Sequence, residues 1–227
     1  MQSRSHHLES SGSRAASSAV LRESFLFMTD SHSTKTALRS VLRQRRQTLD
    51  SYAQRTAARA LVHSVLKLPC WDSAQRIAVY HGRDGEIDTA PLSDIARNAA
   101  KHVFLPVLGS GRRLTFARWN TDDTPSINRY QIPEPPTTAE RCPASDFDII
   151  FLPVVGWDAR CGRLGMGGGC YDRALSGISG PVLVGLAHEC QQVATIPLEE
   201  WDIGLNYIAT DAALYRRQDN KSGGATQ

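Results

Sequence analysis

Residues 147–155 read FDIIFLPVV, and residues 163–175, shortly after, read RLGMGGGCYDRAL. The first run is apolar at nearly every position. A half-exposed strand alternates apolar with polar side chains, so an unbroken run points to a central strand covered on both faces. The second run is a glycine cluster leading into a short stretch of helical composition. That order of strand, loop and helix marks the place where open α/β sheets gather their ligands.

On the amino-terminal side, Leu38, Val41, Leu42 and Leu49, and then Ala58, Leu61, Val62, Val65 and Leu66, recur near helical spacing. They predict two helices, or one broken helix, with Asp50 or Ser51 capping the second by accepting amides of its first turn. The arginines at 43, 45 and 46 read as a solvated helix face. RIAVYH (76–81) predicts a strand, Thr89 a cap, and the residues up to about Ala100 a helix. HVFLPVL (102–108) and LTFARW (114–119) predict strands before a proline-rich loop, and PVLVGLA (181–187) and NYIAT (206–210) predict two more beyond the glycine cluster. Strands alternating with helices predict an α/β protein, a mostly parallel central sheet covered by helices on both faces.

This single domain is expected over residues 34–215. Residues 1–33 hold ten serines and one short apolar patch, too little to offset the entropy of ordering, and read as a disordered leader within which Met28 offers a second start. Residues 216–227 read as a flexible tail.

Composition excludes more than it selects. A chain of 227 residues with 41 % hydrophobic and 22 % charged residues has the balance of a soluble globular protein and not of a disordered or membrane one. The net charge of +3 is too small for a nucleic-acid surface but favours anionic ligands. Five cysteines without a C-x-x-C pair read as reduced thiols of a cytoplasmic protein, with no zinc site. No apolar run approaches the roughly 20 residues of a membrane helix.

The glycine cluster carries the chemistry. Gly165, Gly167, Gly168 and Gly169 allow positive φ and turn several amides inward, making a concave anion site that the following helix N-terminus reinforces. Arg163 adds a cation able to bind phosphate through two donors, and Asp172 a carboxylate able to hold phosphate-bound Mg²⁺. The dinucleotide pattern G-x-G-x-x-G fails because position 170 is Cys, and no Gly-Lys-Ser/Thr of a P-loop occurs.

With the preceding LPVVGWD (152–158), RLGMGGGCYDRAL resembles the signature of the 5-formyltetrahydrofolate cyclo-ligase family, RLGxGxGYYDxxL. The resemblance continues in KTALR (35–39) for K-x-x-LR, GEIDT (85–89) for EI-x-T, IPEP (132–135) for I-P-x-P and HECQQVATIPLEEWD (188–202) for a closing E-x-Q…P…D block. It covers roughly residues 35–210. It implies an enzyme that converts 5-formyltetrahydrofolate and ATP to 5,10-methenyltetrahydrofolate, ADP and phosphate, with Mg²⁺ as cofactor. It further implies that Lys35, Thr36, Ala37, Leu38 and Arg39, together with Arg163, Leu164, Gly165, Met166, Gly167, Gly168, Gly169, Cys170 and Tyr171, bind ATP, with Lys35 and Arg163 acting on the transferred phosphate. Asp172 and Asp202 would ligate Mg²⁺. His81, Glu86 and the inner loop from Met166 to Cys170 would contact folate. A monomer is expected.

Departures accompany the match. Cys170 stands where the family has an aromatic, Cys161 where glycine is common, Met166 where Tyr or Arg is frequent and Trp201 where His is common. A phosphoryl-transfer enzyme of the same fold acting on another acceptor, and a non-catalytic folate- or nucleotide-binding paralogue, stay open as other readings.

Overall fold

A computed structural model describes residues 31–218; residues 1–30 of the expected leader and 219–227 of the expected tail lie outside the described residues, while Ser31 to Ser33 of that leader begin a helix and Arg216 of that tail pairs with Tyr207 in a strand. Helix α1 spans Ser31–Gln47 and α2 Ser51–Val65. Between them Asp50 is the cap, its Oδ1 accepting from Ala53 N at 2.8 Å. The alternating core then follows: β1 (Arg76–Ala78), α3 (Ala90–Asn98), β2 (His102–Leu108), β3 (Leu114–Arg118), β4 (Ser126–Ile127), β5 (Pro133–Glu134), β6 (Arg141–Cys142) and β7 (Ile149–Pro153). After it come β8 (Gly156–Trp157), β9 (Arg163–Leu164), α4 (Cys170–Leu175), β10 (Val182–Leu186), β11 (Tyr207–Ala209) and β12 (Leu214–Arg216).

Eight strands form the main sheet in the order β12-β11-β10-β7-β1-β2-β3-β6. The five from β11 to β2 run parallel, while β12, β3 and β6 add antiparallel edges. The chain leaves β1 toward β2, then returns to place β7 on the other side of β1 and moves on toward β10. Strand order therefore reverses between β1 and β7, and their carboxyl ends open a crevice.

As its composition predicts, β7 is buried on both faces. Ile149 and Phe151 pack with Leu61 and Val65 of α2 and Leu92 of α3, whereas Ile150 and Leu152 pack with Trp157, Leu175 and Ile208. Helical cover is unequal: α2 and α3 lie on one face, and on the other the six-residue α4 shares the work with the β8–β9 hairpin. A smaller cluster of Leu42, Val155, Leu164 and Ile196 fastens α1 to that hairpin. Among the described residues no helix is long and apolar enough to cross a membrane.

Three local expectations need correction. Thr89 occupies the cap position of α3, but its hydroxyl donates to the carbonyl of Tyr80 rather than accepting a first-turn amide; a buried carbonyl at the strand end takes the donor. The glycine loop does not follow β7 directly, because the β8–β9 hairpin intervenes. Its turn is organised by Asp158, a fully buried carboxylate that accepts from the amides of Arg160, Gly162 and Ile196 at 3.0, 2.9 and 2.9 Å. Cys161 holds φ at 61° in that turn, which is why glycine suits the position. Finally, the proline-rich segment is not only a loop, since β4 and β5 pair within it.

Candidate active site

The glycine loop lies at the crevice. Gly167 has φ +91° and Gly169, at the N-cap of α4, φ +62°, conformations that a side chain would strain. The loop also needs space: a Cβ on Gly165 would meet Arg163 Nη1 at 2.9 Å, and one on Gly167 would meet the Arg39 guanidinium at 3.3 Å.

Around this loop stands a cavity of about 690 Å³ lined by Lys35, Arg39, Arg163, Asp172, Trp201 and Asp202 with the glycines. Of the four cations that line it, Lys35, Arg39, Arg163 and Arg173, the first three come from two distant segments and are each held by a protein acceptor. Lys35 Nζ lies 2.6 Å from Asp202 Oδ2, and Arg163 Nη2 lies 2.6 Å from Asp172 Oδ1. Arg39 Nε donates to the Gly165 carbonyl at 2.8 Å. The carboxylates are anchored in turn, Asp202 by the Glu199 amide at 2.8 Å and Asp172 by the Ile203 amide at 3.2 Å. Fixed, largely buried cations beside a glycine loop make a preorganised polyanion site. Thr36 and Ala37 are exposed and Leu38 packs into the α1 cluster, so none of these three lines it.

A second cavity of about 750 Å³ adjoins the first and shares Gly167 and Gly168 with it. His81 and Glu86, from the segment after β1, line it together with Met166 and Cys170. Tyr171 belongs to this wall and not to the cationic one, whereas Leu164, Gly165 and Gly169 line only the cationic one. The His81 ring packs edge-on against Trp119 at 5.8 Å, and burial pushes its pKa down, favouring neutral imidazole at neutral pH. Its buried Nε2 makes no hydrogen bond among the described residues. Burial pushes Glu86 up, opposed by the positive charge of Arg46. Burial also raises the phenols of Tyr80 and Tyr171, which stay protonated.

The far wall has no assigned role in the sequence, although Ile132 and Glu134 belong to the IPEP match. Asn128, Tyr130, Ile132 and Glu134 close the second cavity, with Glu134 Oε1 fixed by the Leu108 amide at 2.9 Å and Asn128 Nδ2 at 2.7 Å. Sequence reasoning misplaced Arg46. Read with Arg43 and Arg45 as solvated, Arg46 is 0 % exposed, held by the 84–86 turn. A signal existed: Lys35, Arg39, Leu42 and Arg46 follow at helical intervals, the face that Leu42 buries. Arg43 and Arg45 do lie on the exposed side.

A sequence model of the 5-formyltetrahydrofolate cyclo-ligase family matches residues 31–211. The chain belongs to this family. It is 36 % identical over 180 residues to the 5-formyltetrahydrofolate cyclo-ligase of Escherichia coli K12, a match spanning 77 % of this chain and 99 % of that protein. The cyclo-ligase of Haemophilus influenzae is likewise 36 % identical, over 74 % of this chain and 92 % of its own. Among solved structures, the 5,10-methenyltetrahydrofolate synthetase of Aquifex aeolicus superposes with a TM-score of 0.74 at 27 % identity, covering 85 % of this chain and 97 % of that one. The Mycoplasma pneumoniae synthetase, at 20 % identity and a TM-score of 0.64, shares the fold.

Proposed function

We propose that this chain converts 5-formyltetrahydrofolate to 5,10-methenyltetrahydrofolate with ATP, forming ADP and phosphate, and that the triphosphate occupies the cationic cavity and the folate its neighbour. The observation that carries this reading is the shared wall. Because Gly167 and Gly168 border both cavities, a γ-phosphoryl group in one lies next to a formyl group in the other with only backbone between them.

The reaction needs no protein nucleophile. The formyl oxygen takes the γ-phosphoryl group as ADP leaves; the N10 lone pair then bonds to the activated carbon, N10 loses its proton, and the C–O bond breaks to release phosphate, which carries that proton away. The protein's part is to align the two substrates and offset charge. Lys35, Arg39 and Arg163, with the loop amides, face the polyanion, and their ion pairs hold them aligned before it arrives. Glu86 offers a carboxylate to the donor edge of the pterin, with neutral His81 beside it. Cys170 serves as a wall of the folate cavity.

Asp172 and Asp202 suit Mg²⁺. Among the described residues only one oxygen of each is bound, Oδ1 of Asp172 and Oδ2 of Asp202, and both residues line the cationic cavity. Among the described residues no three metal-ligating side chains cluster, which fits an ion completed by substrate phosphates and water rather than by a protein cage. Bound there, Mg²⁺ would offset phosphate charge.

The near-ultraviolet absorbance of methenyl-folate, followed with and without ATP and Mg²⁺, tests the proposal. The chromophore should form only when both are present. ADP release without it would indicate another acceptor, and binding of either substrate without turnover a non-catalytic protein.

A further inference from the structure

The carboxyl-terminal end of α1 holds a buried charge that the reaction does not itself require. Arg46 Nε donates to the carbonyl of Asp84 at 2.7 Å and Nη2 to its carboxylate at 2.9 Å, while Nη1 lies 3.9 Å from Glu86 Oε1. Between these two acids Gly85 takes φ +75°, and a Cβ there would press on the Arg46 side chain and carbonyl at 3.4 Å. The buried His188 ring also meets the Gly85 carbonyl through Nε2 at 3.2 Å. The turn that presents Glu86 is thus held by two buried side chains from separate elements.

Burying a guanidinium is costly, and an apolar side chain of similar volume commonly packs as well. What an apolar chain cannot supply is the two-donor grip on Asp84 and a fixed charge behind Glu86. We infer that Arg46 is a positioning residue for the folate cavity: it holds the 84–86 turn from behind and sets its charge against the Glu86 carboxylate that lines the cavity. This rests on the reading of that cavity as the folate site. Because Lys35 and Arg39 lie on the same helix, α1 joins the two substrate sites through one rigid element.

A pH signature follows. Glu86 is faced by Arg46 from α1, Asp84 and Arg83 from its own loop, Tyr80 beyond β1 and Tyr171 from α4. Burial raises its pKa and Arg46 is the largest opposing influence. Without Arg46, the carboxylate protonates at higher pH, and any step needing it ionised loses its acid side sooner.

The experiment is steady-state kinetics of Arg46→Met and Arg46→Lys across pH, each substrate varied in turn, with Glu86→Gln as reference and Arg45→Ala as an exposed control. The expected result for Arg46→Met is a folate KM raised about five-fold or more, an ATP KM within about two-fold of wild type, and an acid limb of kcat/KM for folate moved to higher pH. Arg46→Lys, which keeps charge without the fork, should recover the acid limb but only part of the KM. If Arg46→Met fails to fold, Arg46→Lys still decides by its folate KM against its ATP KM. Parallel rises in both constants, or an unmoved acid limb in Arg46→Met, would overturn the inference. If Glu86→Gln itself leaves the folate KM unchanged, the fault lies in the assignment of the cavity; if it raises that KM while the Arg46 variants do not, the fault lies with Arg46 alone.

Discussion

Cys170 and Met166 border the second cavity, the one proposed to hold folate, where the family pattern favours larger side chains, and Met166 is 52 % exposed. Trp201 lines the cationic cavity instead. Neither takes the place of a ring beside Cys170, and Cys170→Tyr is expected to lower the folate KM several-fold, an effect on the order of 1 kcal/mol, with the ATP KM unchanged. Kinetics with each substrate varied separately would show it; equal changes in both constants would mean overpacking. Asp84 makes a second prediction. Hydrogen bonds from Arg43, outweighing burial, and then from Arg46 and Gln47 lower its pKa from 3.8 to about 2. A depressed carboxylate stabilises the fold above its unfolded pKa, and that contribution is lost as pH falls from near 4 toward 2. Asp84→Asn should cost roughly 1 to 2 kcal/mol at neutral pH and flatten the acid side of a melting-temperature profile, whereas an unchanged profile would show the network to be inconsequential.

At the scale of elements, what could be read depended on length. Long apolar runs such as 147–155 and 181–187 declared β7 and β10, and the periodic apolar positions declared α1 and α2. Strands of two residues, β4, β5, β6, β8 and β9, carry no period and escaped notice. Polar side chains misled where tertiary contacts reassigned their donors, as at Thr89, or where a basic run masked a buried position, as at Arg46. Asp50 behaved as its chemistry dictates. Replacing it with Ala should cost about 1 kcal/mol in urea unfolding without altering kinetics, since α2 packs beneath the sheet away from both cavities; a change in either KM would show that this end of α2 bears on the site.

Across the whole molecule, the site forms where strand order reverses, and it draws on residues from Lys35 to Asp202. Its anion-binding half was legible because the glycine loop is local: backbone freedom, a cation and a carboxylate lie within ten residues. Lys35, Glu86 and Asp202 could be linked to it only through resemblance, each by itself being an ordinary charged residue. The wall of Asn128 and Glu134 is touched in the sequence only by the IPEP match, which gives it no role; placing it at the cavity needs the pairing of β4 with β5 and the approach of Leu108. Lys35→Ala should weaken ATP use by roughly 1.5 to 3 kcal/mol, the worth of a hydrogen bond to a charged group, while the fold persists; an unchanged ATP KM would remove Lys35 from the site. The central claim is that one loop serves both substrates, and Gly167→Ala tests it most directly. A methyl group at φ +91° strains the loop and presses on Arg39, so steady-state kinetics should show both the ATP and the folate KM raised several-fold, with melting temperature little changed. If only one constant moves, or neither does, the two substrates do not meet across this loop.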